Sequence, residues 1–369
     1  MRVKKGFCFM KRIAIDGRFI TDPPSHGIAR YSFEILKNLK LEEKKFQIFI
    51  FVRKNSFLKN ESFQTKFVFL ETGAEPISLK EQFIIPFYLL KFKIDFFHSP
   101  SFLVPFFCPK PFVLTLHDVN HLVREKDYTI FHKIYYRFVV SVQIRLAKFV
   151  VTVSSFSKKE ILNYYGEQFE KKIKIFPCGV ELRPLSLSSR ERVRKKLNLP
   201  KKFCFCLSSP KKHKNIRNLL LAYNKLDTNV FLVVAGSLPQ DVTKNSFPAS
   251  KFLFLDTLSE EELVACYSLC DLFVFPSFYE GFGLPPLEAL SFGAHVLSSR
   301  ESALYEVLQD EVSYFDTLDC DGLLHGLRKT FSEFKLETKE KKEKRSLFTR
   351  GFSWNLMTEN IAALYSQDL

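Results

Sequence analysis

At 369 residues, with 46% hydrophobic and 26% charged side chains, the chain has the make-up of a folded protein of about two domains. Its 42 phenylalanines and 13 glycines exclude collagen-like and low-complexity chains, and no run reaches the ~18 apolar residues of a spanning helix. The formal charge of +15 fits anionic partners (nucleic acid, phosphorylated substrates, an acidic membrane face) or plain solubility, and charge alone does not choose. The basic residues are dispersed and no nucleic-acid module is recognisable, so nucleic acid is set aside. The opening MRVKKGFCFMKR lacks the apolar run of a signal peptide, and Met10, directly before the first strand-like run, offers a second start. Eight scattered cysteines without a C-x-x-C pair read as free thiols, and the expected location is the cytoplasm.

Short Phe/Val/Ile-rich runs alternate with helical patterns along the chain. Strands are predicted at 12–15, 47–52, 67–70, 95–98, 112–116, 149–153 and 174–176, then at 203–207, 230–235, 252–255, 272–276 and 295–298. Most are apolar throughout, as in strands covered on both faces within a parallel sheet. Ser78 with Glu81, Ser157 with Glu160 and Ser259 with Glu262 match the capping box at helix starts. The alternation predicts an α/β protein of two Rossmann-like, doubly wound domains. The boundary is placed where Pro177-Cys178-Gly179-Val180 gives way to a polar stretch, giving an N-terminal domain 1–183 and a C-terminal domain 184–353. Residues 335–345 read as a solvated helix, and 354–369 as a helix packing back on the N-terminal domain.

The segment 271–293, DLFVFPSFYEGFGLPPLEALSFG, carries the chemistry. An apolar strand ends at Pro276-Ser277, a loop holds Glu280-Gly281-Phe282-Gly283, and Pro285-Pro286 opens a helix. Open α/β sheets bind ligands at the carboxyl ends of their strands, where this loop lies. The glycines permit close backbone approach, and the amides at the helix start suit an anion, most naturally a phosphate. Glu280 and Glu288, eight apart, suit the paired hydroxyls of sugar and ribose rings.

This segment resembles the hallmark of the retaining, GT-B-fold glycosyltransferases of family 4, a Glu-x7-Glu motif within E-G-F-G-L-P-x-L-E-A. Further elements of that family follow in order: Gly27-Ile28-Ala29-Arg30-Tyr31, Glu81-Gln82 with Pro86, His98-Ser99-Pro100, Thr115-Leu116-His117-Asp118, a V-S-x-F-S-K run from Val153, a P-x-G-V-E run ending at Glu181, and His213-Lys214-Asn215. The resemblance implies two Rossmann-like domains facing a cleft and a donor such as a GDP- or UDP-hexose. It implies that no metal or cofactor is needed, because cationic side chains and helix amides neutralise the leaving diphosphate. Lys214 would bind that diphosphate with the amides of Phe282, Gly283 and Leu284, and Glu288 would hold the ribose. Glu280 and His117 would contact the transferred sugar as the catalytic pair. Gly27 would let its loop approach the donor, Ser154 and Ser155 would line the cleft or cap a helix, and Asp118 would cap the loop after His117. Retention would follow from front-face displacement, the departing phosphate taking the acceptor's proton. One departure is plain: the Gly-Arg that many members carry upstream of the lysine is replaced by Ser208-Ser209-Pro210, with Lys211 and Lys212 the nearby cations.

The acceptor would be a glycan or lipid-linked glycan held by the N-terminal domain, in mannosyltransferase-like assembly of a surface polysaccharide. Residues 78–93 and 128–148 interleave aromatics with Lys and Arg, which suits either an anionic membrane surface or ordinary core packing with basic residues outside. Two rival readings stand beside this one: a non-catalytic scaffold of the same fold, or another GT-B enzyme such as a nucleotide-sugar epimerase or a phosphorylase.

Overall fold

The computed structural model describes residues 10–21, 27–41, 45–60, 66–124, 127, 130–333 and 338–367. The chain forms two compact units, one of Met1–Val153, Ser157–Cys178 and Trp354–Leu369, the other of Ser154–Phe156 and Gly179–Ser353.

In the first unit β1 (Lys11–Asp16), β2 (Phe46–Val52), β3 (Phe67–Glu71), β4 (Phe96–Ser99), β5 (Phe112–Thr115), β6 (Phe149–Thr152) and β7 (Ile173–Ile175) form a parallel sheet ordered β3-β2-β1-β4-β5-β6-β7. Ile13 of β1 lies opposite Ile48 on one side and Phe96 on the other. Every residue of β4 and β5 is buried, as the uninterrupted apolar runs require. The helices that follow in sequence are α1 (Gly27–Asn38), α2 (Glu81–Lys91), α3 (Asn120–Val123), α4 (Ile130–Ile134), α5 (Ser141–Leu146) and α6 (Ser155–Tyr165), the last with its first two residues, Ser155 and Phe156, counted in the second unit. A π-helical segment, Tyr135–Val140, joins α4 to α5.

The second unit holds β8 (Phe203–Ser208), β9 (Phe231–Gly236), β10 (Phe252–Leu255), β11 (Leu272–Phe275), β12 (His295–Ser298) and β13 (Ser313–Tyr314), parallel in the order β10-β9-β8-β11-β12-β13. Its helices are α7 (Leu187–Lys196), α8 (Ile216–Lys225), α9 (Glu260–Leu269), α10 (Leu284–Ser291), α11 (Leu304–Leu308), α12 (Cys320–Glu333) and α13 (Lys339–Phe348). In α8 the buried side chains Ile216, Leu219, Leu220 and Tyr223 recur at three- and four-residue spacing, the stripe that packs a helix on a sheet. The last helix, α14 (Trp354–Gln367), belongs to the first unit, where the Tyr365 hydroxyl lies 2.5 Å from Nδ1 of buried His98.

The order reverses between β1 and β4 in one sheet and between β8 and β11 in the other, and this doubly wound pattern opens a crevice beyond the carboxyl ends of those strands. The twelve predicted strands are present within one or two residues at each end, while β13 was not foreseen. Of the three capping boxes only Ser259 with Glu262 forms. The Ser78 hydroxyl donates to the Glu75 carbonyl instead, and α2 begins after Lys80. Ser157 lies inside α6, whose first amides, Ser155 and Phe156, donate to the Glu306 carboxylate at 2.7 and 2.8 Å. The charged helix expected over 335–345 runs from Lys339 with Thr338 as its cap; 335–337 lie outside the described residues. The seven cysteines among the described residues are free thiols.

Candidate functional site

In the second unit the two loops that leave the switch point converge. After β8 the chain makes a single 3-10 turn, Lys212–Lys214, and Asn215 ends it at φ 58°, a left-handed conformation that asparagine tolerates better than most residues. The Asn215 side-chain amide donates to the Leu318 carbonyl at 2.8 Å, and the Phe278 amide donates to the carbonyl of buried His213 at 2.7 Å. That second bond ties the loop after β8 to the loop after β11. Lys214 is thereby aimed across the crevice, with Nζ 5.4 Å from the centroid of the Phe275 ring and 2.6 Å from Glu280 Oε1. Neither partner is deeply buried, the lysine side chain being 22% exposed and the glutamate 12%.

The backbone of Glu280 is clamped in turn. Its amide donates to Ser302 Oγ at 2.8 Å and its carbonyl accepts from the Ala303 amide at 3.4 Å. The Gly281 carbonyl accepts from Ser154 Oγ at 2.7 Å, so Ser154 supports the glutamate loop. Gly283 caps α10 at φ +103°, and a Cβ there would lie 2.6 Å from Leu304 Cδ2, so both conformation and space demand glycine. Among the described residues the amides of Phe282, Gly283 and Leu284 donate to no acceptor. The loop therefore presents three N–H groups and one ammonium, a set suited to a diphosphate.

Glu288 lies on α10, where its Oε2 accepts a 3.1 Å hydrogen bond from the hydroxyl of Tyr267, a fully buried residue of α9. Burial and the neighbouring carboxylate push the Tyr267 hydroxyl well above its ordinary range, so it acts as a fixed donor. The structure thus brings Lys214 to Glu280 and sets Glu288 against Tyr267.

In the first unit His117 follows β5. Its Nε2 lies 3.1 Å from the Pro100 carbonyl, which only accepts, so Nε2 carries the proton and Nδ1 is left as an acceptor. Burial lowers its pKa to about 4 despite that carbonyl, so the ring is neutral at physiological pH. The Tyr31 ring holds it edge-on at 4.6 Å. Asp118 accepts from the Asn120 amide at 2.9 Å and so caps the loop. Gly27 opens α1 with nothing within 4 Å of where a Cβ would stand; residues 22–26 before it lie outside the described residues. Sequence reasoning missed Tyr267, Ser302 and Leu304, which reach the site from other segments and carry no local motif.

The family described as "Glycosyltransferase Family 4" matches residues 26–183, and "Glycosyl transferases group 1" matches residues 189–346. The chain is 27% identical over 263 residues to the serotype-specific mannosyltransferase WbdA of Escherichia coli, covering 65% of this chain but only 32% of that relative. It is 26% identical over 336 residues to the O-antigen chain mannosyltransferase B of Escherichia coli, covering 83% of this chain and 87% of that one. The fold is shared with Anabaena Alr3699/HepE, solved in complex with UDP and glucose, at a TM-score of 0.76 and 15% identity over 96% of this chain and 99% of that one.

Proposed function

The chain belongs to the family 4, group 1 glycosyl transferases, and from that premise we propose that it moves a hexose from a nucleotide-sugar donor to a glycan or lipid-linked acceptor with retention of configuration. One observation carries the reading: Lys214 and Glu280 meet at 2.6 Å beside three unengaged amides at the switch point of the second sheet. The ammonium and the amides neutralise the diphosphate as it leaves, with no metal or cofactor required. Glu288, held by Tyr267, binds the ribose hydroxyls, and Glu280 and neutral His117 take hydrogen bonds with the transferred sugar. In a front-face displacement the acceptor oxygen bonds to the anomeric carbon as the bond to the diphosphate oxygen breaks. The acceptor's proton passes to that departing oxygen.

The mannosyltransferase relatives support a mannose-like hexose carried on GDP or UDP, and an O-antigen-type polysaccharide as the product. The proposed place of work is the cytoplasm, at the membrane face. A non-catalytic scaffold is the second reading, favoured by Ser208-Ser209-Pro210 where an arginine is common.

Thermal unfolding with a panel of nucleotide sugars separates the two. The transferase reading expects one donor to raise the midpoint, to lose that effect in Glu288→Ala, and to release nucleoside diphosphate when a glycan acceptor is added. Stabilisation without turnover on any acceptor, or no stabilisation by any donor, favours the scaffold and overturns the transferase reading.

A further inference from the structure

His117 is held by two groups of the first unit, the Tyr31 ring at 4.6 Å and the Pro100 carbonyl at 3.1 Å. Each of these is braced in turn by α14. Along that helix Trp354, Met357, Thr358, Ile361 and Tyr365 are buried and recur at three- and four-residue spacing, the stripe that lies against the unit. Thr358 Oγ1 is 3.5 Å from the Asn38 carbonyl at the end of α1, the helix that carries Tyr31.

The first brace is a ring contact. Trp354, which opens α14, meets Tyr31 at 6.3 Å between centroids with the planes 70° apart, so a single ring touches both Trp354 and His117. The Tyr31 hydroxyl is buried and faces Thr115, the last residue of β5, two positions before His117.

The second brace is polar. The Tyr365 hydroxyl lies 2.5 Å from His98 Nδ1, and His98 Nε2 lies 3.3 Å from Thr115 Oγ1, with all three side chains fully buried. Burial lowers His98 to about 3, so its neutral ring has one N–H and one acceptor nitrogen to divide between the two hydroxyls. That division fixes the ring. Pro100 stands two residues further on, and beyond it Ser101 Oγ lies 3.2 Å from Ser99 Oγ and accepts from the Leu103 amide at 3.1 Å. The carbonyl that sets the tautomer of His117 therefore sits in a turn pinned by His98 on one side and by Ser101 on the other.

Packing alone does not call for this chemistry. Phenylalanine at 365 and an apolar side chain at 98 would fill the same space without burying polar atoms, which is unfavourable unless those atoms pair. Once paired, they specify one arrangement of the strand end, which an apolar core does not.

We propose that Trp354 and Tyr365 are positioning residues for His117, α14 holding the imidazole through Tyr31 on one side and through His98 and the Pro100 carbonyl on the other. The task of that imidazole at the transferred sugar rests on the transferase reading, whereas its placement by α14 does not.

The test uses the full chain with 15N-labelled histidine and the variant Tyr365→Phe, which deletes only the hydroxyl. Long-range proton–nitrogen correlation spectra read the tautomer of each ring, and His117→Gln identifies the His117 signal. The unaltered chain should show His117 with its proton on Nε2 alone, and Tyr365→Phe should show it exchanging between both tautomers. Transfer kcat should fall about tenfold or more, as a small displacement of a group at the reacting centre allows. The affinity for GDP and UDP should stay unchanged, because the diphosphate loop belongs to the second unit. Trp354→Phe, which keeps a ring, should move the same signal and lower kcat likewise, and it carries the test should the first variant fail to fold. A His117 signal that neither variant moves overturns the proposal. So does a weakening of GDP and UDP binding that matches the loss of kcat, the mark of a general loosening. Normal turnover with an unmoved signal loses this proposal alone. A signal that moves in a chain that turns over no nucleotide sugar keeps the positioning and loses the transferase reading.

Discussion

Replacing Lys214 by Ala and Glu280 by Gln should push nucleoside diphosphate binding in opposite directions, although each variant loses transfer. Without a ligand, Lys214 is engaged by Glu280 at 2.6 Å, so an arriving diphosphate must share or displace that carboxylate. A hydrogen bond to a charged group is worth about 1.5–3 kcal/mol, and each 1.4 kcal/mol is about tenfold, so Lys214→Ala should weaken binding about 10- to 150-fold. Glu280→Gln removes the competitor and one negative charge. Both side chains keep some solvent contact, which limits the pair to about 0.2–1 kcal/mol. Binding of the sugar-free nucleotide should tighten correspondingly, by about 1.4- to 5-fold. Isothermal titration with GDP and UDP reads both constants, and the nucleotide sugar serves as the counter-ligand, since Glu280→Gln should weaken it by removing the proposed contact to the sugar. Equal weakening of the sugar-free nucleotide in the two variants would refute the opposed roles, and an unchanged constant in Lys214→Ala would remove the diphosphate from this loop.

Tyr267→Phe should raise the donor KM about five- to tenfold, the worth of roughly 1–1.5 kcal/mol from one lost hydrogen bond, while kcat stays within about twofold. A 2′-deoxynucleotide donor should show much less of that difference in steady-state kinetics. Gly283→Ala should destabilise the chain by about 2–5 kcal/mol, combining about 1–2 for left-handed strain with about 1–3 for overpacking against Leu304. Denaturant unfolding measures this, and a loss below about 0.5 kcal/mol would contradict the local geometry. Burial lowers His98 to about 3 and both His117 and His295 to about 4, from an ordinary 6.5. The unfolded chain therefore takes up these protons first, so stability is full above pH 6.5 and falls as the pH drops from 6.5 towards 4. His295→Gln should flatten that decline in pH-dependent unfolding, whereas a slope confined to the carboxylate range would show the histidines charging normally.

What the sequence made legible was whatever a short stretch decides for itself. Strands such as β4, β5 and β11 are buried along their whole length, so their apolar runs were unmistakable. β13 is two partly exposed residues at the sheet edge, Ser313 and Tyr314, and has no such run. The capping boxes divide along the same line. Glu262 has no stronger claim on it than Ser259 and the exposed Lys196, so the local pattern forms. Glu81 is instead drawn into a buried cluster with Arg18, whose guanidinium also lies 2.7 Å from Asp16. Where a long-range charge contact is available, a local cap gives way to it. The site follows suit: Glu280 and Glu288 were visible from their spacing, but the ammonium facing one and the phenol facing the other come from residues 66 and 21 positions away.

The double proline limits how many donors the start of α10 can offer an anion. An α-helix begins with four amides that lack an intrahelical acceptor. In α10 these belong to the cap Gly283 and to Leu284, Pro285 and Pro286, and the two prolines have no N–H. Half of the usual donors are absent, and the Phe282 amide, outside the helix, joins the two that remain. Because Gly283 is held at φ +103° against Leu304, these three donors have a fixed orientation rather than the mobility of a frayed end. Proline at the first turn also fixes φ, so the helix start is preorganised before any ligand arrives. In the proposed diphosphate site a rigid few donors thus replace a larger number, and the charge that the missing amides would have supplied falls to Lys214. That dependence on a single ammonium is why its replacement should cost more than the loss of any one amide.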